Sequence, residues 1–182
     1  MNNGKKEVYL LAGHSSNDPG AIGVNGRKEA DETVKLRNAI KTRLEANGIS
    51  VIIDDNRDNL RTVLAKIESG EEDIIFDIHF NASENAKATG IESFIPARHT
   101  SLEMNTAAQI TMGLATLMGL KYRGVKTEIE SHRGSLGVMK EKGTTILLEM
   151  CFISNPADMG IYDSKFNEIA SFIANVLTKA AK

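Results

Sequence analysis

The sequence predicts an α/β fold: a single domain with a mostly parallel central sheet flanked by helices on both faces. Three observations predict it. Short apolar runs alternate with stretches of helical periodicity along the whole 182 residues. Several of those runs are apolar throughout, as strands buried on both faces of a parallel sheet are. The length suits one domain with a full hydrophobic core.

Val8 to Ala12 reads as a buried strand closing on Gly13, followed by a loop rich in Gly, Ser, Asn and Pro from His14 to about Arg27. Val34, Leu36, Ile40 and Leu44 give the segment Glu29 to Asn47 the spacing of an amphipathic helix, stopped at Asn47-Gly48. Ile49 to Ile53 is a second strand, and Leu60, Val63, Leu64 and Ile67 mark a short helix. In the third strand, Ile74 to Phe80, the residues Ile74, Phe76, Ile78 and Phe80 share one face. Asp77, His79 and Asn81 share the other. Ile91 to Ile95 is a fourth strand and about Leu102 to Leu120 a helix, after which residues 121–135 read as irregular. Leu136 to Met139 and Ile146 to Met150 are strand-like. Phe166, Ile169, Ala170, Ile173, Val176 and Leu177 form the stripe of a last helix. The chain reads as one domain over 1–182, with 1–7 a short flexible N-terminus.

Composition narrows the function. A net charge of -2 without a basic run excludes a nucleic-acid footprint and a membrane-steering patch. One cysteine, Cys151, leaves no intramolecular disulfide and no thiolate zinc site, so any metal must take nitrogen and oxygen donors. The histidines are four: His14, His79, His99 and His132. The first apolar run, five residues long, is shorter than the roughly 7–15 of a secretory signal core. The expectation is a chain made in the cytoplasm without a signal peptide and not inserted in a membrane.

In open parallel sheets, sites form beyond the carboxyl ends of strands. His14 follows the first strand, His79 ends the third and Glu149 ends a late one, so all three emerge on one rim. Each histidine taken alone reads first as a hydrogen-bonded, partly buried side chain, and Glu29 as a first-turn helix acid. Spacing does not choose Glu29 over its neighbour Glu32.

Four ordered motifs sharpen this. Gly13-His14-Ser15-Ser16-Asn17-Asp18-Pro19-Gly20 and its continuation to Glu29 resemble the first metal-binding stretch of the zinc-dependent N-acetylmuramoyl-L-alanine amidases of type 3. Asp77-Ile78-His79-Phe80-Asn81-Ala82 is similar to that family's Ser-Ile-His-x-Asn-Ala pattern. Leu147 to Pro156 is similar to its Val-Glu-x-Gly-Phe-x-Ser-Asn stretch, and Arg123-Gly124-Val125 to its recurring Arg-Gly-Val. The resemblance implies one Zn²⁺ held by His14, Glu29 and His79, with Glu149 activating water. It implies cleavage of the amide between the lactyl group of N-acetylmuramic acid and the L-alanine of the peptidoglycan stem peptide. Zinc would polarise that carbonyl while Glu149 moves the proton from water to the leaving amine.

Asp77 stands where the family has Ser, and reads either as a group behind His79 or as a solvent-facing acid. Met150-Cys151 replaces a residue followed by Gly. Cys151 lies on the side of Glu149 in an ideal strand, though packing is the better reading of it. His132, His99 and Asn81 read as structural residues. The strand at 91–95 passes to the next helix through few residues, leaving no room for an inserted helix over the cleft, so the cleft is expected open. The expected working unit is a monomer acting on the cell wall after release or unconventional export, as a phage lysis enzyme or a bacterial one. Two rivals stand beside this: a dinucleotide-binding enzyme, and an inactive amidase fold that only binds peptidoglycan. The first fails because Gly20, Gly23 and Gly26 give G-x-x-G-x-x-G rather than G-x-G-x-x-G, with Pro19 interrupting the loop. Retention of all four site residues argues against the second.

Overall fold

The computed structural model describes residues 6–182, and residues 1–5, most of the expected flexible N-terminus, lie outside the described residues. The chain builds β1 (Glu7–Ala12), α1 (Glu29–Ala46), β2 (Ser50–Ile53), α2 (Leu60–Lys66), β3 (Ile74–Asn81) and β4 (Ile91–Ile95). It continues with α3 (Ser101–Met118), β5 (Tyr122–Thr127), β6 (Thr144–Phe152), α4 (Pro156–Ser164) and α5 (Phe166–Ala181). The six strands form one sheet in the order β2-β1-β3-β6-β4-β5. Every pairing is parallel except that of β4 with β6. Glu7 belongs to β1, its N–H donating to Asp73 Oδ1 at 2.8 Å.

Helices cover both faces, but unequally. Alternation along β1, β3 and β6 sends Val8, Leu10, Phe76, Ile78, Ile146 and Leu148 to the face where α1, α3 and α5 pack. That face carries the main core. The opposite face is covered only by α2 and a short 3₁₀ turn, through Val63, Leu64, Val138 and Met139 on Tyr9, Ile75 and Leu147. Where this thin cover ends, Asp77, His79 and Glu149 are left on the strands' second face, at the edge of an open cleft.

Two further expectations change. Residues 122–127 are not irregular but form the edge strand β5. Its residues are only partly buried and Gly124 sits at φ +101, so the segment lacks the apolar run that marks a central strand. Leu136 to Met139 is not a strand: Gly137–Lys140 is a 3₁₀ turn. Its short apolar run serves to place Val138 and Met139 on the thin face, and period alone cannot separate such a run from a strand. Between β6 and α5 lies α4, capped by Asn155, whose side chain accepts from Ala157 and Asp158 N–H, with Pro156 at its first position.

The loop that follows β1 is anchored by a buried ion pair. Arg37 of α1, 2% exposed, donates to Asp54 Oδ1 at 2.8 Å and to Asn56 Oδ1 at 2.7 Å. Asp54 Oδ1 also accepts the N–H of Ala12, and the Asn56 carbonyl accepts that of Ser16. The pair therefore braces both sides of His14. Removing one partner of a buried pair leaves the other charge uncompensated. Arg37→Ala is expected to lower unfolding free energy by about 3–5 kcal/mol in urea titrations.

Candidate metal centre and catalytic cleft

His14 and His79 emerge on the same rim, as strand-end placement requires, and Glu29, which only the motif resemblance singled out, joins them there. Glu29, 4% exposed, opens α1 and reaches over the end of the sheet. Its Oε2 lies 3.2 Å from His14 Nε2 and its Oε1 lies 3.1 Å from His79 Nδ1. One donor atom from each of the three residues falls within 4.8 Å of the others, a spacing that fits a single metal ion. Glu32 instead pairs with Arg27 at 2.9 Å.

Close backbone packing holds this arrangement. The N–H of Gly13 donates to the Ile78 carbonyl, and a Cβ on Gly13 would overlap the His79 ring. Gly20, at φ +64, lies against the His14 ring and Glu29 Oε2, so its missing side chain and its left-handed backbone are both used. Glu29 also accepts two backbone N–H bonds, from Ala21 at 3.0 Å and Phe80 at 2.9 Å.

Each imidazole turns its far nitrogen to a second carboxylate. His14 Nδ1 lies 3.1 Å from the exposed Asp18, and His79 Nε2 lies 3.3 Å from the buried Asp77. At 4% exposure, Asp77 is not the solvent-facing acid of the alternative reading.

Glu149 sits across from His79 in the β3–β6 register and across from Glu92 in the β4–β6 register. Its Oε2 is enclosed with no hydrogen-bond partner among the described residues. Beyond it, β6 bulges: Glu149 pairs with His79 but Phe152 pairs with Asn81, one residue more on β6 than on β3. The bulge turns Cys151 to the other face, where it is fully buried in the main core, so Cys151 does not line the pocket beside Glu149.

The electrostatics follow from this crowding in the metal-free protein. Burial opposes the charge on Glu29, yet the two imidazoles outweigh it and hold the carboxyl far below its ordinary range. Burial likewise opposes charge on His14 and His79. Glu29 outweighs it at His14, and Asp77 with Glu29 at His79, so both rings are raised. Burial pushes the Glu149 carboxyl up to about 7, against the pull of His79.

A cleft of about 550 Å³ runs from this centre between the end of β3, β4, β5 and the 131–138 segment. His132 and Arg133 line its far wall. His99 sits in the turn before α3 with its ring on the Pro96 carbonyl. Asn81 donates to Glu92 at 2.8 Å, the structural use expected for it. Glu92, 3% exposed, also pairs with Arg123 and Lys126 of β5. This cluster was not singled out from the sequence, although one acid inside the apolar run 91–95 was its signal. The connection from β4 to α3 is only residues 96–100, so no helix is inserted there.

Two imidazoles and a carboxylate converge on one point, with a buried acid beside them on a parallel-sheet rim, a donor set that could hold one metal ion. The chain belongs to the N-acetylmuramoyl-L-alanine amidase family of type 3, whose model matches residues 8–179. It is 29% identical over 156 residues to the amidase LytC of Bacillus subtilis, covering 83% of this chain but 30% of LytC. Among solved structures, a putative N-acetylmuramoyl-L-alanine amidase from Neisseria meningitidis is 26% identical, with TM-score 0.79 over 96% of this chain and 94% of that one. The catalytic domain of CwlV from Bacillus (Paenibacillus) polymyxa shares the fold at TM-score 0.78 and 24% identity, over 97% and 99% of the two chains.

Two outcomes test the geometry. Gly13→Ala should displace His79, so the folded variant should lose metal uptake in equilibrium dialysis while keeping its far-ultraviolet circular dichroism. Glu149→Gln should stabilise the metal-free protein. An unfolded glutamate ionises near 4.5 and this one near 7, so ionisation costs stability as pH rises between those values. Above pH 7 the gain from the neutral amide should reach about 3 kcal/mol, and below pH 4.5 it should vanish. Chemical denaturation of chelator-treated protein across that range measures it.

Proposed function

We propose that the protein is a zinc-dependent peptidoglycan amidase, cleaving between the lactyl group of N-acetylmuramic acid and the L-alanine of the stem peptide. The observation that carries the reading is the convergence of His14, Glu29 and His79 directly beside Glu149. Family membership supplies the substrate class.

His14 Nε2, His79 Nδ1 and a Glu29 oxygen are the donors that would hold one Zn²⁺. When bound, the ion supplies the Lewis acid that polarises the scissile carbonyl and activates water. The rest is work for the chain. Glu149 takes the proton of the attacking water and returns it to the departing L-alanine nitrogen. The enclosure that lifts its carboxyl makes it a stronger base than a solvent-exposed glutamate. Glu29 stays ionised because the two imidazoles outweigh its burial, and two backbone N–H bonds hold its carboxylate in place as an anionic donor. The cleft offers Phe94, Leu136 and Phe152 for apolar contact and Arg123, Lys126 and Arg133 for the carboxylates of a stem peptide. That residues of one chain line the cleft supports a monomer as the working unit, acting on the cell wall once the protein has reached it.

Mass spectrometry of digested purified wall tests the reaction. Free stem peptides beginning with L-alanine, with no new reducing sugar ends, are expected. New reducing ends would overturn the assignment. Glu149→Gln should keep metal content but lose activity by about 10²–10⁴-fold, and a variant digesting wall at the parent rate would remove Glu149 from the base role.

A further inference from the structure

His79 and His14 are backed by carboxylates of opposite character. Asp18, behind His14, lies in a loop with its side chain 67% exposed. Asp77, behind His79, lies inside the sheet with its side chain 5% exposed. Its backbone is registered against Leu11 of β1 and Leu147 of β6, so the side chain projects from a rigid, doubly paired strand. Two residues along β3, His79 projects from the same face, and their separation is set by the strand itself. Asp77 Oδ2 meets His79 Nε2 at 3.3 Å, while Oδ1 has no hydrogen-bond partner among the described residues. Such a buried carboxylate is costly unless it is hydrogen-bonded, and the His79 ring N–H is the donor at hand.

From this we infer that Asp77 is a positioning residue: its carboxylate accepts the Nε2–H of His79, fixing the neutral ring in the tautomer that turns the Nδ1 lone pair toward the metal. A neutral imidazole has one N–H and one lone pair, so a hydrogen bond that claims Nε2–H commits Nδ1 to the ligand role. The same bond resists a ring flip, which would carry Nδ1 away from Glu29 Oε1. It also raises the basicity of the ligating nitrogen and so tightens the metal bond. Asp18 faces solvent, where water competes for the His14 N–H, and it contributes less. Asp77 touches neither substrate nor metal in this account; it acts through His79.

The inference rests on the metal reading of the centre, and the experiment separates the two. Zinc affinity of the full chain is measured by competition with a chromophoric chelator at fixed pH. The His79 ring nitrogens are assigned by long-range ¹⁵N correlation spectra, with metal-free samples held at a pH high enough to leave the ring neutral, since Asp77 and Glu29 favour its protonation. Asp77→Ala should weaken zinc by about 10–100-fold, and in its metal-free form the two His79 tautomers should mix. Asp77→Asn keeps an acceptor without the charge, and should recover the single tautomer and part of the affinity. Asp18→Ala should cost only a few-fold. Unchanged affinity and tautomer in Asp77→Ala would overturn the inference. A parent protein that takes up no zinc would instead overturn the metal reading. Should Asp77→Ala fail to fold, the Asn variant decides: a parent-like tautomer with weakened zinc supports the role, and a mixed tautomer or unchanged zinc affinity overturns it.

Discussion

Everything at the centre hangs on the Glu29 carboxylate. A single residue at the first turn of α1 spends both oxygens twice: Oε1 on the Phe80 N–H and His79, Oε2 on the Ala21 N–H and His14. It thereby ties the loop after β1, the end of β3 and the start of a helix into one unit. An ionised carboxylate is at home at a helix N-terminus, where unpaired N–H groups and the helix dipole favour negative charge. The helix start and the proposed metal position thus make compatible demands on one side chain. The Arg37–Asp54 pair does the complementary work from below, bracing the β1 loop so that His14 meets Glu29.

The sheet's uneven cover explains why the chemistry sits where it does. Three helices bury one face under nearly all of the large aliphatic side chains. The other face has one short helix and a 3₁₀ turn, and the uncovered remainder is the cleft. Glu149 is placed at this boundary, enclosed yet lining the cleft, as its proposed role as base needs. Its burial destabilises the metal-free fold, and the stability surrendered there is part of the proposed catalytic apparatus.

Much of this was legible in the sequence, and what escaped has physical reasons. Period-two alternation in residues 74–81 placed His79 and Asp77 on one face because strand geometry leaves no other choice. Strand-end positions put His14, His79 and Glu149 on one rim because parallel pairing aligns those ends. Glu29 was different. It meets His79 from 50 positions away, through a loop whose path no local pattern encodes, and only motif resemblance separated it from Glu32. The edge strand β5 hid because one of its faces serves the cleft with Arg123 and Lys126 instead of the core. Cys151 was put on the wrong side because an ideal strand has no bulge.

That bulge has a consequence for the chain's redox chemistry. By turning its one sulfhydryl away from the cleft and into the apolar layer against Met159, it leaves the surface without a thiol to crosslink, nitrosate or oxidise. Burial also pushes the Cys151 thiol far from the ionised form that reacts. Within this chain the fold therefore rests on apolar packing and hydrogen bonds rather than on thiol chemistry.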